Sequence, residues 1–335
     1  MSNKKILILE GGNNEEHDVS LVTSKEIQKI LNQNKLKFKI LRVNPKNFHK
    51  KIINYKNFVC INALHGPFGE DGQTQKILKK NKIPFSHSNI KSSNLCFNKS
   101  ASKKEIIKNK LMSPKYYLLN INDLNENKLI TIKSKLKKFV IKPNRSGSSF
   151  GIKIIKNQKE FDNLISNIEE FKKELNNHKE ILIEEYISGR ELTVSTIKLD
   201  KKIHALAVTE IKSKNNFFDY KAKYSKGYAK HILPAKLNKI NYAKCLKFAT
   251  KAHKLLGCNS LARTDFIFDT KKNKIFFLET NTQPGLTPIS LLPEQANYKG
   301  LSFSEIIFIL IKHLNYYYES VSYTHLRAHE TPRYL

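Results

Sequence analysis

The chain has 335 residues, enough for two or three domains with their own cores. Its formal net charge is +31, but only six of the 60 basic residues are Arg. The lysines are spread along the chain with no aromatic-interleaved basic stripe, so a solvated surface is expected rather than a nucleic-acid interface. No apolar run has membrane-spanning length, and Cys60, Cys96, Cys245 and Cys258 are too scattered for a zinc site or a disulfide framework.

Residues 6–9 (Ile-Leu-Ile-Leu) read as a buried strand. The apolar segment is too short for a signal peptide, and Gly11-Gly12 follows as a tight turn, so a cytoplasmic location is expected. A helix comes next, capped by Asp18 or Ser20, with Leu21, Ile27, Ile30 and Leu31 as its apolar face. Residues 38–43 and 58–63 are further strands, and this alternation predicts a small parallel sheet. At the end of the third strand, Asn62-Ala63-Leu64-His65-Gly66-Pro67-Phe68-Gly69-Glu70-Asp71-Gly72 places His, Glu and Asp in a glycine-rich turn. The carboxyl end of a parallel strand is a usual ligand position, although His65 reads equally well as a satisfied turn residue.

A new strand region opens at Met112-Ser113-Pro114, and residues 139–141 form a short strand ending at Lys142-Pro143. The loop after it, Asn144-Arg145-Ser146-Gly147-Ser148-Ser149-Phe150-Gly151, is of the Gly/Ser type that aims backbone N–H groups at phosphate oxygens. It lacks the Walker A ending. Residues 161–175 predict one amphipathic helix, residues 181–185 and 191–199 two strands, and residues 242–256 a helix with Gly257 after its C-cap. Between them, Phe218-Asp219-Tyr220-Lys221-Ala222-Lys223-Tyr224 has the composition of a lid.

The most informative stretch is residues 263–291. Two apolar strands flank a Lys/Asn turn, which predicts a hairpin. Asp265 begins one strand and Glu279 ends the other, so they lie side by side. Arg263 and Asn281 share their face because each is two residues away. Three oxygen ligands beside a cation suit Mg²⁺ and a strongly anionic substrate, and the Gly285 turn adds backbone donors. A last helix is expected over residues 304–314. After Lys312 the composition switches abruptly, with two of the six Arg falling in the last nine residues. Residues 321–335 resemble translated sequencing-adapter sequence, and residues 319–335 are expected to be a non-native tail.

Taken together, these segments resemble the D-alanine–D-alanine ligase family of the ATP-grasp superfamily, from about Lys5 to about Leu314. Their order is G-G-x-x-x-E-x-D-V-S, A-L-H-G-x-x-G-E-D-G, K-P-x-x-x-G-S-S-x-G, D-Y-K-A-K-Y, R-x-D and E-x-N-T-x-P-G-x-T-x-x-S-L. The resemblance implies an α/β protein with an ATP-grasp fold in three α/β domains. These are a small N-terminal parallel-sheet domain (1–93), a central subdomain (94–183), and a C-terminal subdomain with the metal site and lid (184–318).

It also implies roles. Asp265, Glu279 and Asn281 would hold two Mg²⁺ (or Mn²⁺) ions, and Lys99, Lys142 and Lys223 would contact ATP phosphates. Glu184, Ile187 and Glu191 would line the adenine and ribose pocket. Asp18, in place of the family's usual Glu, would bind the first D-alanine's ammonium, linked to Ser148 and Tyr224 in a set that closes the lid. His65 would lie by its carboxylate. Arg263 and the Gly285 N–H would form the oxyanion site, and Ser290 with the Leu291 N–H would bind the second D-alanine. The implied reaction is ATP-dependent ligation of two D-alanines through an acyl phosphate, for peptidoglycan synthesis, by a cytoplasmic homodimer. Alternatives are a D-alanine–D-lactate or D-alanine–D-serine ligase of the same fold, a catalytically silent ATP-binding relative, or, from the charge alone, a nucleic-acid-binding protein. Tyr224 argues against the lactate-forming reading.

Overall fold

Residues 5–147, 151–175, 177–213 and 229–315 are described by the structure, a computed structural model. The expected lid segment, Ser148, Lys223, Tyr224 and the tail at 319–335 lie outside these residues.

The first sheet is all parallel, in the order β2-β1-β3, with β1 Lys5–Gly11, β2 Phe38–Val43 and β3 Phe58–Asn62. Parallel strands need both faces covered. On one face Ile27, Ile30 and Leu31 of the helix His17–Gln33 meet Ile6, Ile8 and Ile61. On the other, Phe48, Leu78 and Phe85 cover Leu7, Leu9 and Cys60. Neither Asp18 nor Ser20 caps the helix, which begins at His17. Ser20 Oγ instead accepts the Gly11 N–H at 2.9 Å and ties the helix to the end of β1.

The second sheet is antiparallel, in the order β4-β7-β5-β6, with β4 Tyr116–Asn120, β5 Phe139–Pro143, β6 Lys153–Ile155 and β7 Glu180–Glu185. Phe139, Ile141 and Ile183 pack against Leu164, Phe171 and Leu175. The single helix expected over residues 161–175 is two, Gln158–Ser166 and Ile168–Glu174. The break falls at Asn167, whose side-chain amide donates to the Asn163 carbonyl at 2.8 Å and so competes with the backbone ladder.

The third sheet, β10-β9-β8-β11-β12, is also antiparallel. It contains β8 Arg190–Leu199, β9 Lys202–Ser213, β10 Ala229–Ile232, β11 Leu261–Asp269 and β12 Lys274–Asn281. The helix Lys239–Leu255 buries Phe248 and Ala252 against Val194, Phe266 and Phe277, and Gly257 follows at φ +66° as expected. The helices Leu291–Tyr298 and Phe303–Lys312 bring Leu292, Ile306 and Leu310 into one core with Ile8 and Ile61. The C-terminal helices thereby fasten the third sheet to the first. Among the described residues no helix is long and apolar enough to cross a membrane.

Candidate active site

The hairpin aligns as its sequence predicts: Arg263 pairs with Asn281 and Asp265 with Glu279, and a register shift follows Asp265. The four side chains therefore emerge on one face. Arg263 grips Asp265 as a fork, Nε to Oδ1 at 2.9 Å and Nη2 to Oδ2 at 2.8 Å. Thr193 on β8 donates to Asp265 Oδ1 at 2.6 Å.

Two lysines reach this region from other elements. Asn98 Oδ1 accepts the Ala101 N–H at 3.0 Å and caps the helix Lys99–Lys108. Lys99 Nζ then donates to the Ser146 carbonyl at 2.6 Å and lies 3.2 Å from Glu279 Oε2. Lys142, at the end of β5, forms an ion pair with Glu184 on β7. Burial raises the Glu184 carboxyl pKa, but Lys103 and Lys142 outweigh it and hold the group below the usual carboxylate range. Asn144 anchors the Gly/Ser loop, since its carbonyl accepts the Lys99 N–H at 3.0 Å and its Oδ1 the Ser100 N–H at 2.8 Å.

Two cavities adjoin these charges. The larger, about 840 Å³, lies between the second and third sheets and is lined by Lys142, Glu184, Ile187, Glu191, Ile267 and Leu278. The volume suits a mononucleotide, and this is where the residues expected to hold adenine and ribose come together. The smaller, about 60 Å³, is polar and joins Glu16, His65, Lys99, Arg263, Asn281 and Gly285. His65 is braced from both sides, by Thr23 Oγ1 at Nε2 (3.0 Å) and Glu70 Oε1 at Nδ1 (3.2 Å). Ser290 Oγ accepts the Thr287 N–H at 3.1 Å and sits where a Cβ on Gly285 would meet it at 2.7 Å. Leu291 opens the following helix.

One expectation is overturned. Asp18 lies on the exposed face of its helix and does not border the cavity. The carboxylate there is Glu16, 3% exposed. The helix begins one residue later than Glu16, so two residues of register separate a side chain facing the cleft from one facing water. Asn14 sets the turn: its Oδ1 accepts the Glu16 N–H at 2.9 Å, and its amide donates to the carbonyls of His65 (2.9 Å) and Pro67 (3.0 Å). A Cβ on Gly147 would lie 2.7 Å from Glu16 Oε2, and one on Gly66 would collide with it. Glycine at both positions leaves room for the carboxylate.

Sequence reasoning placed Glu70 in the His65 turn but not its contact with the imidazole, and it missed Thr23 and the Asn62–Gln283 contact, where Asn62 Nδ2 donates to Gln283 Oε1 at 3.0 Å. That contact joins the His65 loop to the end of β12. Ser148, Lys223 and Tyr224 lie outside the described residues.

The donor set fits a hard divalent cation. Among the described residues no three His, Cys, Asp or Glu side chains converge, and the Asn281 amide beside Asp265 and Glu279 would offer a third protein oxygen. Two carboxylates and an amide leave coordination positions for water and phosphate, as Mg²⁺ prefers. Asp265 already accepts from Arg263 and Thr193, and a carboxylate has about four lone-pair sites to share.

Two antiparallel sheets closing on a nucleotide-sized cavity, with Lys142 on its lining and in-register carboxylates on the adjoining hairpin, define the ATP-grasp class. The family model described as "D-ala D-ala ligase C-terminus" matches residues 108–312. A D-alanine–D-alanine ligase of Pelagibacter ubique is 42% identical over 313 residues, covering 92% of this chain and 97% of the relative. A D-alanine–D-alanine ligase structure from Bacillus anthracis superposes with a TM-score of 0.74 at 30% identity, covering 92% of this chain and 96% of that one. A second structure of a ligase from that organism, complexed with ATP, gives 0.73 at 28% identity over the same shares. The chain belongs to the D-alanine–D-alanine ligase family.

Proposed function

We propose that this chain joins two D-alanines into D-alanyl-D-alanine at the expense of ATP, through an acyl phosphate, for peptidoglycan precursor synthesis. The observation that carries the reading is the cavity where Glu16, Arg263 and Gly285 meet next to Lys99 and the hairpin acids. It offers an anion for an ammonium and donors for a developing oxyanion within one small space.

In this reading Glu16 receives the first D-alanine's ammonium, and His65, held by Glu70 and Thr23, faces its carboxylate. Ile187 and Glu191 line the base and ribose end of the larger cavity, and Glu184 lies beneath them. Lys99 and Lys142, with Lys223 from the segment outside the described residues, steady the phosphates. Asp265, Glu279 and Asn281 hold Mg²⁺ or Mn²⁺, which when bound bridges and neutralises phosphate charge. Ser290 and the Leu291 N–H hold the second D-alanine's carboxylate as its amine attacks the activated carbonyl. Arg263 and the Gly285 N–H then stabilise the tetrahedral oxyanion, about 3–4 kcal/mol for one such donor. Ser148 and Tyr224 complete the closing set around the substrates. The domain limits 1–93, 94–183 and 184–318, a non-native tail at 319–335, a homodimeric state and a cytoplasmic location belong to the same proposal.

The test is phosphate release by the purified chain with ATP and Mg²⁺, offering D-alanine, L-alanine, D-alanine with D-serine, or D-alanine with D-lactate. D-alanine-dependent release with D-alanyl-D-alanine detected by mass is the expected result. Nucleotide binding without release in any mixture would overturn the reading in favour of a silent relative. A mixed product would move the second substrate to serine or lactate.

A further inference from the structure

We propose that Lys103 is a positioning residue for the nucleotide site, acting through Glu184 to let Lys142 exchange that carboxylate for a phosphate. The inference rests on the nucleotide role assigned above to Lys142 and deepens it.

Lys103 follows Lys99 by one helical turn but points into the protein, where it is fully buried. Its Nζ lies 2.9 Å from Glu184 Oε2 and donates to Ser113 Oγ at 3.1 Å and to the Phe277 carbonyl at 3.3 Å. One ammonium thus ties the helix Lys99–Lys108 to β7 of the second sheet and β12 of the third, where the two halves of the nucleotide clasp meet. It borders neither cavity, so it acts only through what it touches.

What it touches is shared. Glu184 offers Oε2 to Lys103 and Oε1 to Lys142, and Lys142 reaches the larger cavity. A buried carboxylate whose partner departs carries an uncompensated charge, which is strongly unfavourable. With Lys103 in place, Lys142 can turn to a phosphate and leave Glu184 still paired. Without it, Lys142 is the remaining lysine on Glu184, and every nucleotide that recruits it strands the carboxylate. Burial pushes the Lys103 ammonium down to about 8, and the facing Glu184 limits the fall. It is charged at neutral pH, as this role requires.

The experiment compares Lys103→Met, Glu184→Gln and the double variant with the unaltered chain. ATP affinity is read by calorimetric titration and kinetics by ADP formation. Lys103→Met is expected to raise the Kd and KM for ATP at least tenfold, with both D-alanine KM values within twofold and kcat within threefold. In the Glu184→Gln background the same change is expected to cost less than twofold in ATP affinity, because no charge is left to strand. A merely structural lysine would lower kcat and raise every KM together, and its effect would persist in that background. An unchanged ATP Kd in Lys103→Met overturns the proposal. If that variant does not fold, a tenfold loss between Glu184→Gln and the double variant overturns it, and equal affinities support it. The titration does not depend on ligase turnover, so failure of the ligase reading and failure of the Lys103 role are read separately.

Discussion

Replacing Glu16 by Gln and Asp18 by Asn separates two carboxylates two residues apart that have opposite surroundings. Glu16 is 3% exposed and borders the cavity with His65, Arg263 and Gly285, whereas Asp18 faces water. An ammonium meeting Glu16 would form a buried pair, and removing one partner of such a pair costs about 3–5 kcal/mol. Glutamine keeps an acceptor oxygen, so the lower end applies. About 3 kcal/mol corresponds to roughly a hundredfold in kcat/KM. An exposed substitution away from such features stays within about 0.5 kcal/mol, roughly twofold. Initial rates of ADP formation at saturating ATP, followed over D-alanine concentration, yield separate constants for the two amino-acid sites. Glu16→Gln is expected to weaken the first site about a hundredfold and leave the ATP KM within threefold, while Asp18→Asn stays within twofold of the unaltered chain. A tenfold or larger loss in Asp18→Asn alongside a near-normal Glu16→Gln would refute the assignment of the ammonium site.

Three further outcomes follow from the geometry. Gly285→Ala brings a Cβ to 2.7 Å from Ser290 Oγ and crowds the space beside the N–H proposed as an oxyanion donor. A fall in kcat of about a hundredfold at unchanged melting temperature is expected, and a kcat within threefold would remove Gly285 from the chemistry. Gly189→Ala would press its methyl on the Phe268 carbonyl, a backbone atom that cannot yield. Urea unfolding should show a loss of about 1–3 kcal/mol, and an unshifted midpoint would contradict the packing described. Burial lowers His87 to about 3 and His253 to about 4 from 6.5. Because the unfolded imidazoles bind protons first, stability is fully present above pH 6.5 and is lost as pH falls toward 4 and 3. At pH 5 each contributes about 2 kcal/mol of destabilisation. Urea titrations at pH 7 and 5 should differ accordingly, and a flat profile would be inconsistent with two buried neutral imidazoles.

The hairpin at residues 263–281 was legible because its alternation and its turn agree, and register follows from the turn. The carboxylate proposed for the first ammonium was not, because the choice depends on where a helix starts. Glu16 and Asp18 sit on either side of that boundary, and no cap residue marks it. The helix Lys99–Lys108 escaped for another reason. Its sequence, Lys-Ser-Ala-Ser-Lys-Lys-Glu-Ile-Ile-Lys, buries Lys99, Ser102 and Lys103 along with Ile106, so the face turned inward has no apolar stripe. Its buried lysines answer acids on β7 and β12, pairings of long sequence separation that periodicity cannot reveal. The strands β6, β9 and β10 went unread because each is defined by its neighbour in the sheet. The helix Phe303–Lys312 was found easily, since it is apolar almost all round where it lies between the first and third sheets.

The same charges imply an order of events at the site. Lys99 faces Glu279 at 3.2 Å, Lys142 is paired with Glu184, and Arg263 grips Asp265 at 2.8 Å. Among the described residues, each cation expected to meet a phosphate or an oxyanion is already beside an acid. A nucleotide arriving alone would draw Lys99 toward its phosphates and leave Glu279 facing those phosphates, a like-charge contact that opposes binding. A divalent cation arriving alone at Asp265 and Glu279 would meet Arg263 and Lys99 in the way, again like against like. Arriving together, the phosphates would take the lysines and the cation would take the hairpin carboxylates, so that Asp265 and Glu279 would change partner without being stranded. Glu184 is the exception, because it lies on β7 away from the hairpin acids, and Lys103 beneath it supplies the compensation that a metal supplies elsewhere. Metal and nucleotide should therefore bind this chain with positive coupling, tighter together than their separate affinities predict. Calorimetric titration of ATP with and without Mg²⁺ measures that coupling, and equal affinities would show that the paired charges do not govern entry.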